Sequence, residues 1–253
     1  MIAKSERNNQ SKSQNEGLHT SLDKGVLTNR QLLLPYAAPY LAYVGIASLL
    51  SGQLTAEYIY LLRLAVVPLL LLWAWRWYSP LQGPHSAIVS VLIGAAVGLI
   101  GLIIWITFLA PFVSPKEAPP WSFNAFLLRL LSAGFLVPIF EELMMRGFVF
   151  RLALQWGRAR GNKEGHPLHV ALDERSINEV APGSWSWMAI AISTLAFTAG
   201  HTIPEWPAAV VYGLLMASLW IYRKDLISCI TAHAVTNIAL AVYVFSTENW
   251  HYW

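Results

Sequence analysis

The chain has 253 residues, of which 56% are hydrophobic and only 12% charged. An ordinary soluble domain carries roughly a quarter charged residues, so composition excludes one and makes the lipid bilayer the expected solvent. The formal net charge of +3 is small and points to no nucleic-acid partner.

Residues 1–30 are polar, rich in Ser, Asn, Gln and Lys, and lack the apolar core and small-residue cleavage site of a secretory signal. They read as a disordered cytoplasmic tail. Seven apolar blocks follow: Leu33 to Leu50, Tyr58 to Tyr78, Ala87 to Phe112, Phe123 to Phe150, Trp185 to Thr202, Trp206 to Tyr222 and Leu226 to Phe245. Each approaches the length a helix needs to cross a hydrocarbon core of ~30 Å. Backbone groups in lipid must be satisfied within the segment, so these blocks predict helices. The expected fold is an all-α polytopic transmembrane bundle of about seven helices, N-in and C-out. Residues 31–122 would form the N-terminal membrane helices and residues 123–246 the functional core, with a polar cytoplasmic loop over 159–184.

Orientation follows from the basic residues. With the N-terminus inside, thirteen of the 17 Lys and Arg fall on the cytoplasmic side, including Arg30, Arg76, Arg151, Arg175 and Arg223. Lys116 alone falls outside, and Arg63, Arg129 and Arg146 lie within blocks. Trp73, Trp75, Trp77, Trp121, Trp185, Trp187, Trp206 and Trp250 sit near block ends, as headgroup-seeking rings do; Trp105 is the exception. Gly94 and Gly98 form a GxxxG pair that predicts a close helix-packing surface. Cys229 is the single cysteine and cannot form an intrachain disulfide.

An ionised side chain at a helix centre in lipid costs about 2.5–3.5 kcal/mol, so adjacent Glu141 and Glu142 between apolar residues need a reason. On a helix Glu142 and Arg146 share a face and suit an ion pair. Glu141 points about 100° away. That makes Glu142 the candidate partner of Arg146 and Glu141 the candidate base. His201 ends the fifth block, and His233 and Asn237, four apart, share a face of the last one.

The series Glu141-Glu142-x-x-x-Arg146-Gly147, Phe197-x-x-x-His201 and His233-x-x-x-Asn237, in that order on successive helices, resembles the CPBP family of intramembrane proteases. That family includes the type II CAAX prenyl endopeptidases and the bacterial Abi proteins. The first two blocks are similar to those of the exosortase-associated CAAX prenyl protease-related subgroup, through the Leu-Pro-Tyr start and the Tyr-Leu-Leu-Arg63 to Tyr78 stretch. The resemblance implies an endopeptidase in which Glu141 with His201 activates water and His233 with Asn237 stabilises the oxyanion, while Glu142 and Arg146 position the helix. It also implies a membrane-associated protein or peptide as substrate and, through the subgroup, a bacterial inner membrane. A zinc version with Glu141, His201 and His233 as ligands stays open, although no His-Glu-x-x-His helix is present. His166 and His169, in the polar loop, lack further ligands.

Two other classes remain: a non-catalytic scaffold or immunity-type protein of the same fold, and an ion-coupled transporter, against which the absence of related halves counts. A geometric difficulty accompanies the protease reading. His201 lies about 22 Å along a straight fifth helix, whereas Glu141 falls in the cytoplasmic half of the fourth block. Tilt, a break near Gly134 or Pro138, or extension of the fourth helix to Trp156 must bring them together.

Overall fold

The computed structural model describes residues 27–114 and 120–253. The tail is therefore outside the described residues up to position 26, as is Lys116. Helices build the whole of the described fold, and no strand occurs among these residues. In chain order they are α1 (Asn29–Leu50), α2 (Ala56–Ala74), α3 (Ala87–Leu109), α4 (Phe123–Gly161), α5 (Pro167–Asp173), α6 (Trp187–Ala199), α7 (Trp206–Arg223) and α8 (Leu226–Thr247), with a final 3₁₀ turn over Trp250–Tyr252. Five helices, α1, α2, α3, α4 and α8, are long and apolar enough to cross a membrane; α6 is a shorter apolar helix. The protein is an all-α, polytopic integral membrane bundle.

The first helix begins before the predicted block. Thr28 caps it in a reciprocal box with Gln31, which satisfies two of the free amides of the first turn. Asn29 is fully buried: its amide donates to Gln155 at 2.6 Å and to the Ala171 carbonyl at 2.7 Å, and its Oδ1 accepts from the Ile177 amide. Residues 27–30 thus belong to the bundle and not to a disordered tail.

The same contacts correct the loop drawn over 159–184. Helix α4 runs on to Gly161, and the connection that follows holds α5 and a 3₁₀ turn, Ile177–Glu179. Gln155 donates to the Ser176 carbonyl at 2.8 Å, Arg175 pairs with Glu164 at 2.6 Å, and Arg30 pairs with Asp173. Hydrogen bonds from Asn162 first, and then the Arg175 charge, hold the Glu164 carboxyl below the usual carboxylate range. Arg30 does the same for Asp173. His169 is exposed beside Asp173 and Glu174, and no metal-holding group of His, Cys, Asp or Glu occurs among the described residues.

Helix α4, with 39 residues, is interrupted by two π-helical stretches, Ser132–Leu136 and Leu143–Val149. The first has a clear cause. Pro138 has no amide to give the Gly134 carbonyl and its ring crowds that carbonyl; a wider turn just before it relieves the clash. Gly134 also lets α8 come close, since a Cβ there would lie 2.8 Å from Ile238. Within the second stretch, Gly147 leaves room for the Tyr36 ring, 3.2 Å from where its Cβ would be.

The predicted glycine surface on α3 exists and is longer than the GxxxG pair. A Cβ on Gly94 would lie 2.6 Å from the Ser228 carbonyl, on Gly98 2.5 Å from the Ala232 carbonyl, and on Gly101 2.5 Å from Thr236 Oγ1. All three face α8, so backbone-to-backbone approach along this seam sets the depth of His233 and Asn237.

Extension of α4 resolves the difficulty over His201. Met188, at the start of α6, packs on Gly157, beyond the end of the predicted fourth block. From that crossing, Glu141 lies about 24 Å back along α4 and His201 about 20 Å forward along α6 at 1.5 Å per residue. The two therefore arrive at similar depth.

Candidate active site

Glu141 and Glu142 sit between the two π-helical stretches of α4, and point to different partners as the helical spacing predicts. Glu142 Oε1 accepts from Arg146 Nη1 at 3.1 Å, and both side chains are 0% exposed. Arg146 also donates through Nη2 to the Gly213 carbonyl of α7 at 3.2 Å and lies 5.4 Å from the Phe197 ring. A buried ion pair of this kind is retained only where further hydrogen bonds offset the desolvation of both charges.

The same Oε1 of Glu142 accepts from His233 Nδ1 at 3.0 Å. With Glu142 ionised opposite Arg146, Nδ1 carries a proton, which leaves Nε2 to face Glu141 Oε2 at 3.9 Å. Glu142 is thus more than the partner of Arg146: it fixes the orientation and tautomer of His233, as an orienting carboxylate does in a catalytic triad. Spacing could not reveal this contact, because Glu142 and His233 lie 91 residues apart.

His201 follows the end of α6 in the turn after Gly200 and is half-buried. Its Nδ1 donates to the Phe197 carbonyl at 2.9 Å, and its Nε2 has no hydrogen-bond partner among the described residues. The Phe197 ring packs 4.6 Å from His201 and 6.1 Å from His233, a wall between the two imidazoles. Asn237 donates through Nδ2 to the Ala133 carbonyl at 2.8 Å. That carbonyl belongs to the first π-helical stretch, where the widened ladder leaves an acceptor available. One amide proton of Asn237 is committed to it, and the other remains.

Glu141, His201, His233 and Asn237 line one cavity of about 140 Å³. At ~30 Å³ per water it has room for a few water molecules. Glu142 and Arg146 lie behind it. The sequence motifs therefore converge on one place, four at the cavity wall and two as support.

Other wall residues carried no motif. Trp105 of α3 lies 5.3 Å from His201 and 6.0 Å from Tyr212; its one sequence signal is that it interrupts the belt pattern by sitting inside a block. Tyr212 lies 5.8 Å from the His233 ring and donates to Thr236 at 3.1 Å. Arg129, Glu205, Tyr252 and Trp253 also line the cavity. Arg129 lies over the Trp121 and Trp253 rings at 4.5 and 5.2 Å, while Glu205 accepts from the Thr202 amide and hydroxyl.

As metal ligands, Glu141, His201 and His233 do not fit in this arrangement. No three such groups are gathered at ligating distance among the described residues.

The profile described as "Type II CAAX prenyl endopeptidase Rce1-like" matches residues 123–239, a segment that runs from the start of α4 into α8 and contains all six motif residues. Over this segment, a little under half of the chain, the sequence is similar to that family. No curated protein and no solved structure matches the chain. The Rce1-like segment excludes α1, α2 and α3, yet Trp105 of α3 reaches its cavity and the α3 glycines seat its last helix.

Proposed function

We propose that the protein is an intramembrane endopeptidase that hydrolyses a peptide bond of a membrane-associated protein. The observation that carries this reading is His233, held through Nδ1 by Glu142 at 3.0 Å and facing Glu141 through Nε2 at 3.9 Å, in a cavity shared with His201 and Asn237.

In the proposed reaction Glu141 takes a proton from a water molecule that also hydrogen-bonds to His201 Nε2, and the oxygen attacks the substrate carbonyl. Charge develops on the carbonyl oxygen, where donors placed in advance are most effective in a site with little water. The free proton of the Asn237 amide is one such donor, and the His233 ring, oriented by Glu142, faces the same cavity as the second. Glu141 then returns its proton to the leaving amine, so the base of the first half is the acid of the second. Trp105, Phe197 and Tyr212 exclude bulk water. The basic end of the bundle faces the cytoplasm in this reading.

The test is cleavage of a panel of C-terminally labelled, membrane-anchored peptides by the reconstituted full chain, with Glu141→Ala and His233→Ala beside wild type. Loss of 10²–10⁴-fold in rate is expected for each, the range for removal of acid–base catalysis. Equal cleavage by all three sinks the reading. A cellular function that survives Glu141→Ala supports a non-catalytic scaffold, and a chelator arm decides whether a metal contributes.

A further inference from the structure

A much larger cavity, about 730 Å³, lies at the other end of the bundle. It opens between the end of α2, the turn that follows it, α4 and the connection after α5. Its walls include Arg76, Trp77, Ser79, Gln82, Arg151 and Asn178 and, among the described residues, no acidic one.

Arg151 is the unusual member. It is 4% exposed, and among the described residues no carboxylate lies within ion-pairing distance. The other fully buried arginine of α4, Arg146, has Glu142; Arg223, at the same end as Arg151, has Asp225 at 3.8 Å. The Arg151 guanidinium donates from Nη1 to Ser79 Oγ at 2.9 Å, faces the Trp220 ring at 5.1 Å, and leaves Nε without a partner. Ser79 is neutral, and its hydroxyl passes to Asn178 Oδ1 at 2.7 Å. A buried cation without a counterion is strongly unfavourable, and an anion in the adjoining cavity would offset that.

The rest of the cavity suits such an anion. Arg76 is exposed at the rim and lies 4.0 Å over the Trp77 ring, which limits its mobility. Gln82 and Asn178 add neutral polar groups. Trp73, Trp75 and Trp77 cluster at this level, the depth at which such rings meet lipid headgroups. Guanidinium groups match phosphate oxygens in charge and in geometry.

We propose that this cavity binds a phosphate anion, with Arg151 and Arg76 as its cationic ligands. Two sources share that chemistry: the headgroup of an anionic phospholipid and a free phosphate. The inference is independent of the proposed peptidase activity.

The test uses the full chain in neutral detergent, with native mass spectrometry and thermal unfolding in the presence of phosphatidic acid, phosphatidylcholine or inorganic phosphate. Wild type is expected to hold one anion with a raised unfolding temperature. Binding weakens at least tenfold in Arg151→Gln and at least threefold in Arg76→Gln, an exposed position where folding is not at risk. Phosphatidic acid binding that inorganic phosphate does not displace assigns the lipid source; displacement assigns the phosphate group alone. The proposal fails if neither phosphatidic acid nor inorganic phosphate binds wild type, if phosphatidylcholine binds as tightly as phosphatidic acid, or if both arginine variants bind as wild type does.

Discussion

Arg146 and Arg151 are five residues apart on α4, equally deprived of water, and differently neutralised. Arg146 has Glu142 on its own helix and the Gly213 carbonyl beyond it, and Glu142 passes the interaction on to His233. Among the described residues Arg151 has only the Ser79 hydroxyl and the Trp220 ring, beside a large cavity. A buried charge paired with an opposite one supports the fold; a buried charge left beside a cavity without one is where the proposed anion would complete it.

The largest expected effect is at Arg146. Arg146→Met removes one side of a buried pair and leaves Glu142 charged and unpaired on that side, which costs about 3–5 kcal/mol. Reversible unfolding in mixed micelles measures this, and the double variant Glu142→Gln, Arg146→Met is expected to recover most of the loss. If the double variant is no more stable than the single one, the pair is not the unit described.

Next in size is the seam beneath the site. Gly98→Ala places a methyl group 2.5 Å from the Ala232 carbonyl, so α3 and α8 must separate, at about 1–3 kcal/mol. Because α8 carries His233 and Asn237, peptidase activity is expected to fall further than stability alone explains. Gly45→Ala, where nothing lies within 4 Å, is the control and is expected to leave both unchanged.

Arg151→Gln sharpens the comparison from the other side. It abandons one charged hydrogen bond but strands no carboxylate, because Ser79 keeps Tyr36 and Asn178. A loss of at most about 1.5–3 kcal/mol follows, and removing the uncompensated charge offsets part of it. A loss as large as that of Arg146→Met would erase the distinction between the two arginines.

The sequence made one of these two environments legible. Glu142 and Arg146 are four apart, so helical periodicity pairs them; His233 and Asn237 are related in the same way. Apolar block length located the helices, of which five rather than seven are long and apolar enough to cross a membrane, and the positions of the α3 glycines revealed their role. Contacts at long separation had no such signature. Arg151 meets Ser79 across 72 residues, and Glu142 meets His233 across 91. The polar segment after α4 read as a loop because its composition is that of one; its order comes from Asn29, whose single buried amide ties three segments together. Pro138 and Gly134 signalled a break, which the chain makes as a π-helical widening.

The smallest effect concerns that connection. Glu164 and Asp173 are held below the usual carboxylate range by partners present only in the folded state: Asn162 and Arg175 for the first, Arg30 for the second. Their contribution is fully present above the unfolded-state pKa of ~4 and disappears as pH falls through the lower folded-state values, because the unfolded form then binds more protons. Both carboxylates are on the surface, so the change is local opening and not collapse of the bundle. Amide protection of residues 162–180, corrected for intrinsic exchange, is expected to be constant from pH 7 to 5 and to decline below about 4, while protection in α8 holds. Asp173→Asn would reproduce the low-pH behaviour at neutral pH. Equal decline in α8 would mean that the connection is not a separate opening unit, and that the anchor at Asn29 joins it to the membrane core as one cooperative body.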